Sequence, residues 1–281
     1  MSTSARRPDP PARTVVVRGR RLRVVERVGD GSAPPLLLLN GIGASLELLG
    51  PFVDALDPAR GVIRFDVPGI GGSATPVLPY HMTTFAPLVA QLLDRLGHDR
   101  VDVLGISWGG GLAQQFALQC RSRCRRLVLV ATGTGALMVP ARPKVLARMV
   151  SPRRHRDPGY AARIAGSIYG GTMRTHPERA AELLHTGRSE TSLRGYLYQL
   201  AAGSWWTTLP VLPLLRQPTL ILAGDDDPII PVVNAKILAR LLPHARLHLY
   251  HGGHLALVTE ADELAPRVEA FLDEPDQIGR D

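Results

Sequence analysis

Lysine is almost missing from this chain. Only Lys144 and Lys236 are present, so the 33 basic residues are nearly all arginine, and against 25 acidic residues they give a formal net charge of +8. The arginines fall in scattered pairs, Arg6–Arg7, Arg20–Arg21, Arg125–Arg126 and Arg153–Arg154. No element gathers them with interleaved aromatics, which excludes a nucleic-acid reader of the usual kind. A solvated basic surface is the simpler account, with attraction toward an anionic surface or particle as the alternative. Cysteine is scarce too. Cys120 and Cys124 are the whole supply. Their spacing predicts adjacent turns of one helix, which is no staple for a secreted fold and fits a reducing compartment. Long apolar runs are also absent. The uninterrupted run Leu36–Leu39 is far below the ~18 residues a membrane span needs. The opening "MSTSARRPDPPART" carries no apolar stretch, so it reads as a frayed tail and not as a signal peptide.

What is present is ample apolar material. The chain has 281 residues, 45% of them hydrophobic, enough for one large core or a core with an appendage. "TVVVRGRRLRVVERV" predicts a hairpin turning near Gly19. The runs 35–40, 61–69, 100–107, 125–132, 218–225 and 245–253 are β-branched or leucine-rich and bounded by Gly, Pro or charge, which marks strands. Amphipathic segments such as 83–96 and 108–119 lie between them. Strands alternating with helices imply parallel crossovers and a sheet covered on both faces. The interval Gly133–Gln217 breaks the rhythm. It shows helical patterns near 142–150, 159–168, 177–186 and 192–202 and no convincing strand, and is longer than a crossover needs, which predicts an inserted helical cap. The expected division is a tail at 1–13, a core made of 14–132 and 218–273, a cap at 133–217, and a second tail at 274–281.

The stretch "VDVLGISWGGGLAQQFAL", 101–118, sets Ser107 between a strand and a helix. A turn tight enough to push a side chain above the sheet edge leaves no room for side chains two residues to either side, so Gly105 and Gly109 belong there. Serine needs a base, and the base needs an orienting acid. In this strand–turn–helix context the acid and then the histidine should follow at the ends of later strands. "LILAGDDDPIIP" and "LHLYHGGHLAL" supply them. Asp227, at the end of its turn before Pro228, is the favoured acid, with Asp226 as runner-up. The remaining aspartates are expected to be solvated or to cap a helix beginning near Pro231. His254, after a double glycine, is the favoured base, with His251 as competitor. A metal cluster of His244, His248, His251 and His254 is disfavoured, because 248 belongs mid-strand and 244 in the preceding turn. His81, His98, His155, His176 and His185 read as ordinary surface or cap residues. The charge that develops on an ester carbonyl needs preorganised N–H donors. The amides of Trp108 and Ile42 are the candidates, with Asn40 bracing the "NGIGAS" loop. "GIGGSA" at 69–74 has dinucleotide-loop spacing, but Pro76 and Pro79 block the helix such a site requires.

Together "NGIG", "FDVPGIGGS", "GISWGG", "GDDDPIIP" and "GGH" resemble the α/β-hydrolase superfamily. "LLLLNGIGASLELLGPFVDALD", "MVPARPKVLARMVSPRR" and "IYGG" resemble, within it, intracellular medium-chain-length poly(3-hydroxyalkanoate) depolymerases, from about residue 15 to 272. The resemblance implies an α/β-hydrolase fold: a mostly parallel eight-stranded sheet with helices on both faces and an inserted cap. It also implies a cytoplasmic serine esterase that cleaves storage polyester, with the granule surface as partner and location, and without cofactor or metal. Met138, Trp205 and Trp206 in the cap, with Asn40, are the expected substrate-binding residues. A hydrolase of small soluble esters, lactones or C–C bonds with the same triad is the alternative. A non-catalytic granule protein is a third reading, which the intact triad disfavours.

Overall fold

The computed structural model describes residues 10–184 and 192–276; His185 lies outside them. Eight strands form one sheet: β1 (Arg13–Val17), β2 (Arg20–Arg27), β3 (Leu36–Leu39), β4 (Val62–Phe65), β5 (Val101–Ile106), β6 (Cys124–Val130), β7 (Thr219–Gly224) and β8 (Ala245–Tyr250). Their order is β1-β2-β4-β3-β5-β6-β7-β8. The β1–β2 and β2–β4 pairs are antiparallel and the others parallel. The hairpin turns at Gly19 as its sequence requires, with φ of 71°. Central strands β3 to β7 are buried along almost their whole length because helices cover both faces.

On one face the helices Met82–Leu96, Trp108–Gln119 and Val233–Leu241 bury Phe85, Leu92, Leu112, Phe116 and Leu238. On the other, Gly50–Ala55 and Ala261–Leu272 bury Phe52, Val53, Leu264 and Phe271. Each such side chain contributes roughly 1.5–3 kcal/mol by burial, and truncating Phe116 to alanine would cost about 3–5 kcal/mol. The helix Met82–Leu96 shows how local sequence sets its limits. His81 and Thr84 form a reciprocal cap at its start, and Gly97 ends it in the left-handed conformation that glycine tolerates without strain.

Between β6 and β7 lie the helices Pro143–Val150, Pro158–Tyr169, Glu178–Leu184 and Leu193–Ser204. This segment, called the cap below, has its own apolar cluster, including Val145, Ile164, Ile168 and Met173. It is shared with Ile229, Ile230, Leu255 and Val258 of the core loops. The cap also meets the core through bare main chain. A Cβ on Gly195 would stand 2.2 Å from the carbonyl oxygen of Gly69, and the Ser192 hydroxyl donates to that same oxygen over 2.9 Å.

Two expectations need correction. Cys120 and Cys124 do not share a helix: Cys120 ends the helix Trp108–Gln119 and Cys124 opens β6. The intervening arginine-rich turn is too short to carry the helix past the sheet edge. Both thiols are free, and burial pushes the Cys124 thiol far above its ordinary value. The chain is also held beyond residue 273, because the buried Arg126 guanidinium donates to the Pro275 carbonyl at 3.1 Å and to the Asp276 carboxylate at 3.2 Å.

Candidate active site

Ser107 occupies the turn between β5 and the helix Trp108–Gln119, with φ 54° and ψ −119°. A non-glycine residue in that region carries strain of order 1–3 kcal/mol. The surroundings impose it. The Ser107 amide donates to Val130 at 2.9 Å. Its carbonyl accepts from the Thr132 hydroxyl at 2.7 Å and from the Gly110 amide at 2.9 Å. The flanking glycines have no room for a side chain: a Cβ on Gly105 would lie 2.3 Å from the Gly109 carbonyl oxygen, and one on Gly109 would lie 2.0 Å from that of Leu39.

His254 follows β8 and Asp227 follows β7. The His254 ring Nδ1 lies 2.7 Å from Asp227 Oδ2. Asp227 Oδ1 accepts the Ile229 and Ile230 amides at 2.8 and 2.9 Å. Both carboxylate oxygens are therefore engaged, and the side chains are only 1% and 6% exposed. Ser107 and His254 line one small cavity. A serine, a histidine and a carboxylate bonded to that histidine are thus gathered at one cavity, the residue types an acyl-transfer triad is made of.

The other aspartates are not idle, and neither caps the helix Val233–Leu241, as sequence allowed. Asp226 turns to the cap, where Arg174 Nε and Nη2 each donate to it at 2.6 Å and the Gly171 amide donates at 2.7 Å. That arginine holds its carboxyl below the usual value. Asp225 faces His251 Nδ1 at 2.9 Å in the open. His244 precedes β8 and His248 lies within it. No group of three or more His, Cys, Asp or Glu suited to a metal occurs among the described residues.

In the loop after β3, Asn40 accepts the Gly41 amide at 2.9 Å and donates to Ser45 at 2.5 Å. Its amide is spent on shaping the loop, and it lines neither cavity at Ser107. The Gly43 amide donates to Gln199 Oε1 at 2.8 Å and the Ala44 amide to Gly41 at 3.3 Å, and Ile42, in the same turn, lines both cavities at Ser107. Trp108 is the first residue of its helix, so its N–H has no intrahelical acceptor.

A cavity of about 400 Å³ opens from Ser107, walled by Met138, Leu146, Met149, Leu200, Trp206 and Ile230 among others. Met138 and Trp206 line this cavity, with the Trp206 indole N–H bonded to Gln115 at 2.6 Å. Trp205 does not. It ends the helix Leu193–Ser204 and is 83% exposed, because adjacent residues at a helix terminus point in different directions. Sequence reasoning missed Tyr169, whose carbonyl accepts the His254 amide at 2.7 Å and whose ring stacks on the imidazole at 6.4 Å. It also missed Arg154 and His155, which line the small cavity. "IYGG" was a visible signal for Tyr169 and "MVPARPKVLARMVSPRR" ends on Arg154, but neither stretch tells which side chain turns toward Ser107.

The chain as a whole is similar to known proteins. The alpha/beta hydrolase fold family matches residues 34–261, and the chain belongs to it. It is 49% identical to the poly(3-hydroxyalkanoate) depolymerase of Ectopseudomonas oleovorans over 94% of this chain and 93% of that one. It is 26% identical to 3-oxoadipate enol-lactonase 2 of Acinetobacter baylyi over 87% of this chain and 90% of that one. Among solved structures, the enol-lactonase from Burkholderia xenovorans LB400 superposes with a TM-score of 0.80 at 24% identity, covering 93% of this chain and all of that one.

Proposed function

We propose that the chain is a serine esterase that hydrolyses poly(3-hydroxyalkanoate) through an acyl-enzyme on Ser107. The observation that carries this is the buried Asp227–His254 pair, whose histidine shares a cavity with a strained Ser107, in a chain so similar to a poly(3-hydroxyalkanoate) depolymerase. Ser107 Oγ attacks the ester carbonyl while His254 takes its proton. Asp227 keeps Nδ1 protonated, so that Nε2 is the basic nitrogen. The Ile42 and Trp108 amides receive the oxyanion. His254 returns the proton to the departing alcohol, and water, activated by the same imidazole, releases the acid. No step calls for a metal or cofactor.

Medium-chain side groups suit the large cavity. Met138 and Met149 adapt to chains of varied length, and the walls are mostly apolar. The core (14–132 and 218–273) supplies the triad and the cap (133–217) the far wall. Cytoplasmic location and attachment to the granule surface belong to the same reading; no helix among the described residues is long and apolar enough to cross a membrane. The second reading, hydrolysis of small esters or lactones, is favoured by similarity to the enol-lactonase.

The test is incubation of purified protein with amorphous medium-chain polyester granules, short-chain granules and soluble esters, scored by released acid. Medium-chain granules should be the preferred substrate. Ser107→Ala should lose activity by on the order of 10⁴-fold or more while still sedimenting with granules. A protein that cleaves only soluble esters belongs to the second reading.

A further inference from the structure

Two unequal cavities meet at Ser107. The larger is the apolar one described above. The smaller, about 30 Å³, has room for roughly a three-atom group. It is lined by Ser107 and His254 together with Arg154, His155 and Tyr169. Arg154 is the unusual member: it is 1% exposed, yet its bonds are few. Nη1 makes long contacts to the Met149 and Ser151 carbonyls at 3.3 and 3.4 Å, and Nε has no partner. It also interacts by hydrogen bonding with the phenols of Tyr169 and Tyr196, neutral groups, with the Tyr196 ring 5.5 Å beneath the guanidinium. Burial holds both phenols above their ordinary 10.0, so neither supplies an anion near neutrality. Among the described residues no carboxylate is bonded to it.

A buried guanidinium without a counter-ion is costly, and such charges are ordinarily paired. An anion in this cavity would stand beside the catalytic serine and histidine. Ester cleavage makes one there. When the last bond of a 3-hydroxyacid polyester breaks, the leaving alcohol is itself a 3-hydroxyacid. Its carboxylate carbon lies three bonds from the departing oxygen, roughly 3 to 4 Å by ordinary bond lengths.

We propose that the small cavity receives the free carboxylate of the terminal unit, where Arg154 binds it, so the polyester is shortened from its carboxyl end. This rests on the esterase reading above. The acyl part remains on Ser107 in the large cavity. The departing hydroxyacid takes its proton from His254 and leaves with its carboxylate unchanged.

The experiment compares linear 3-hydroxyoctanoate dimers and trimers that end in a free carboxylate with their methyl esters, for wild type, Arg154→Met and Arg154→Lys. Wild type should favour the free acids in kcat/KM by on the order of 10- to 100-fold, chiefly through KM, as a charge-assisted bond predicts. Arg154→Met should bring the ratio near one, and Arg154→Lys should keep part of it. A purely structural arginine would lower both substrates together. Equal cleavage of acid and methyl ester by wild type overturns the carboxylate site while leaving the esterase intact, and this arm decides even if the variants fail to fold. A preference that persists in folded Arg154→Met also overturns it. If neither oligomer is cleaved but soluble esters are, the polyester reading fails, and the site with it.

Discussion

The loops after β7 and β8 carry two aspartate–histidine pairs built from the same residue types at nearly the same spacing. In Asp227–His254 the side chains are 1% and 6% exposed, whereas in Asp225–His251 they are 51% and 95% exposed. The distances differ little, 2.7 against 2.9 Å. What differs is the surroundings. Asp227 is pinned by two amides and its histidine lies against Tyr169, so the pair is held in one geometry away from water. The outer pair is free to rearrange and is screened by solvent. A short distance alone therefore does not tell the two pairs apart; burial and backbone anchoring do.

The largest expected effect separates the pairs directly. Asp227→Asn and His254→Ala should each lower kcat by on the order of 10⁴-fold, measured on a soluble medium-chain ester. Asp225→Asn and His251→Ala should stay within about threefold, as expected of screened surface charges. Equal losses in the two pairs would erase the distinction. Asp226→Asn should fall between. It removes the tether to Arg174 and Gly171, so it should cost about 1 kcal/mol or less in thermal unfolding, since that ion pair is partly exposed, with an activity loss far smaller than for Asp227→Asn. That tether weakens as pH falls through the lowered Asp226 value, so the unfolding difference should vanish in strong acid and persist at neutrality. The smallest effect is spectroscopic. The Asp225 carboxylate raises His251 above its ordinary 6.5, so its contribution is present below that value and lost as pH rises through the raised one. In Asp225→Asn the NMR midpoint of His251 should return to about 6.5 with no detectable change in turnover.

Sequence made the centre of this comparison legible and its periphery obscure. Ser107, Asp227 and His254 sit at strand ends, where local patterns of glycine, proline and β-branched residues set their positions. The aspartate triplet could be ordered because the turn before Pro228 admits one inward carboxylate. Asp226 could not be assigned to Arg174, since that contact joins two elements far apart in the chain. The same holds for Arg154 and Tyr169: cap helices were visible by their periodicity, but which side chain each turns toward Ser107 depends on how the cap is docked. Trp205 and Trp206 show the limit at its narrowest, neighbours with the same chemistry, one outside and one in the wall.

The main-chain contact between Gly69 and Gly195 gives an engineer a shim. A single methyl group at Gly195 would stand 2.2 Å from the Gly69 carbonyl oxygen, so one backbone must yield, and a shift of the helix Leu193–Ser204 would carry with it Gln199 and Leu200 in the roof of the large cavity. The roof height over Ser107 is thus adjustable from a position that touches neither substrate nor triad. Substrate range in this chain can drift, or be steered, without a change in any residue that does chemistry.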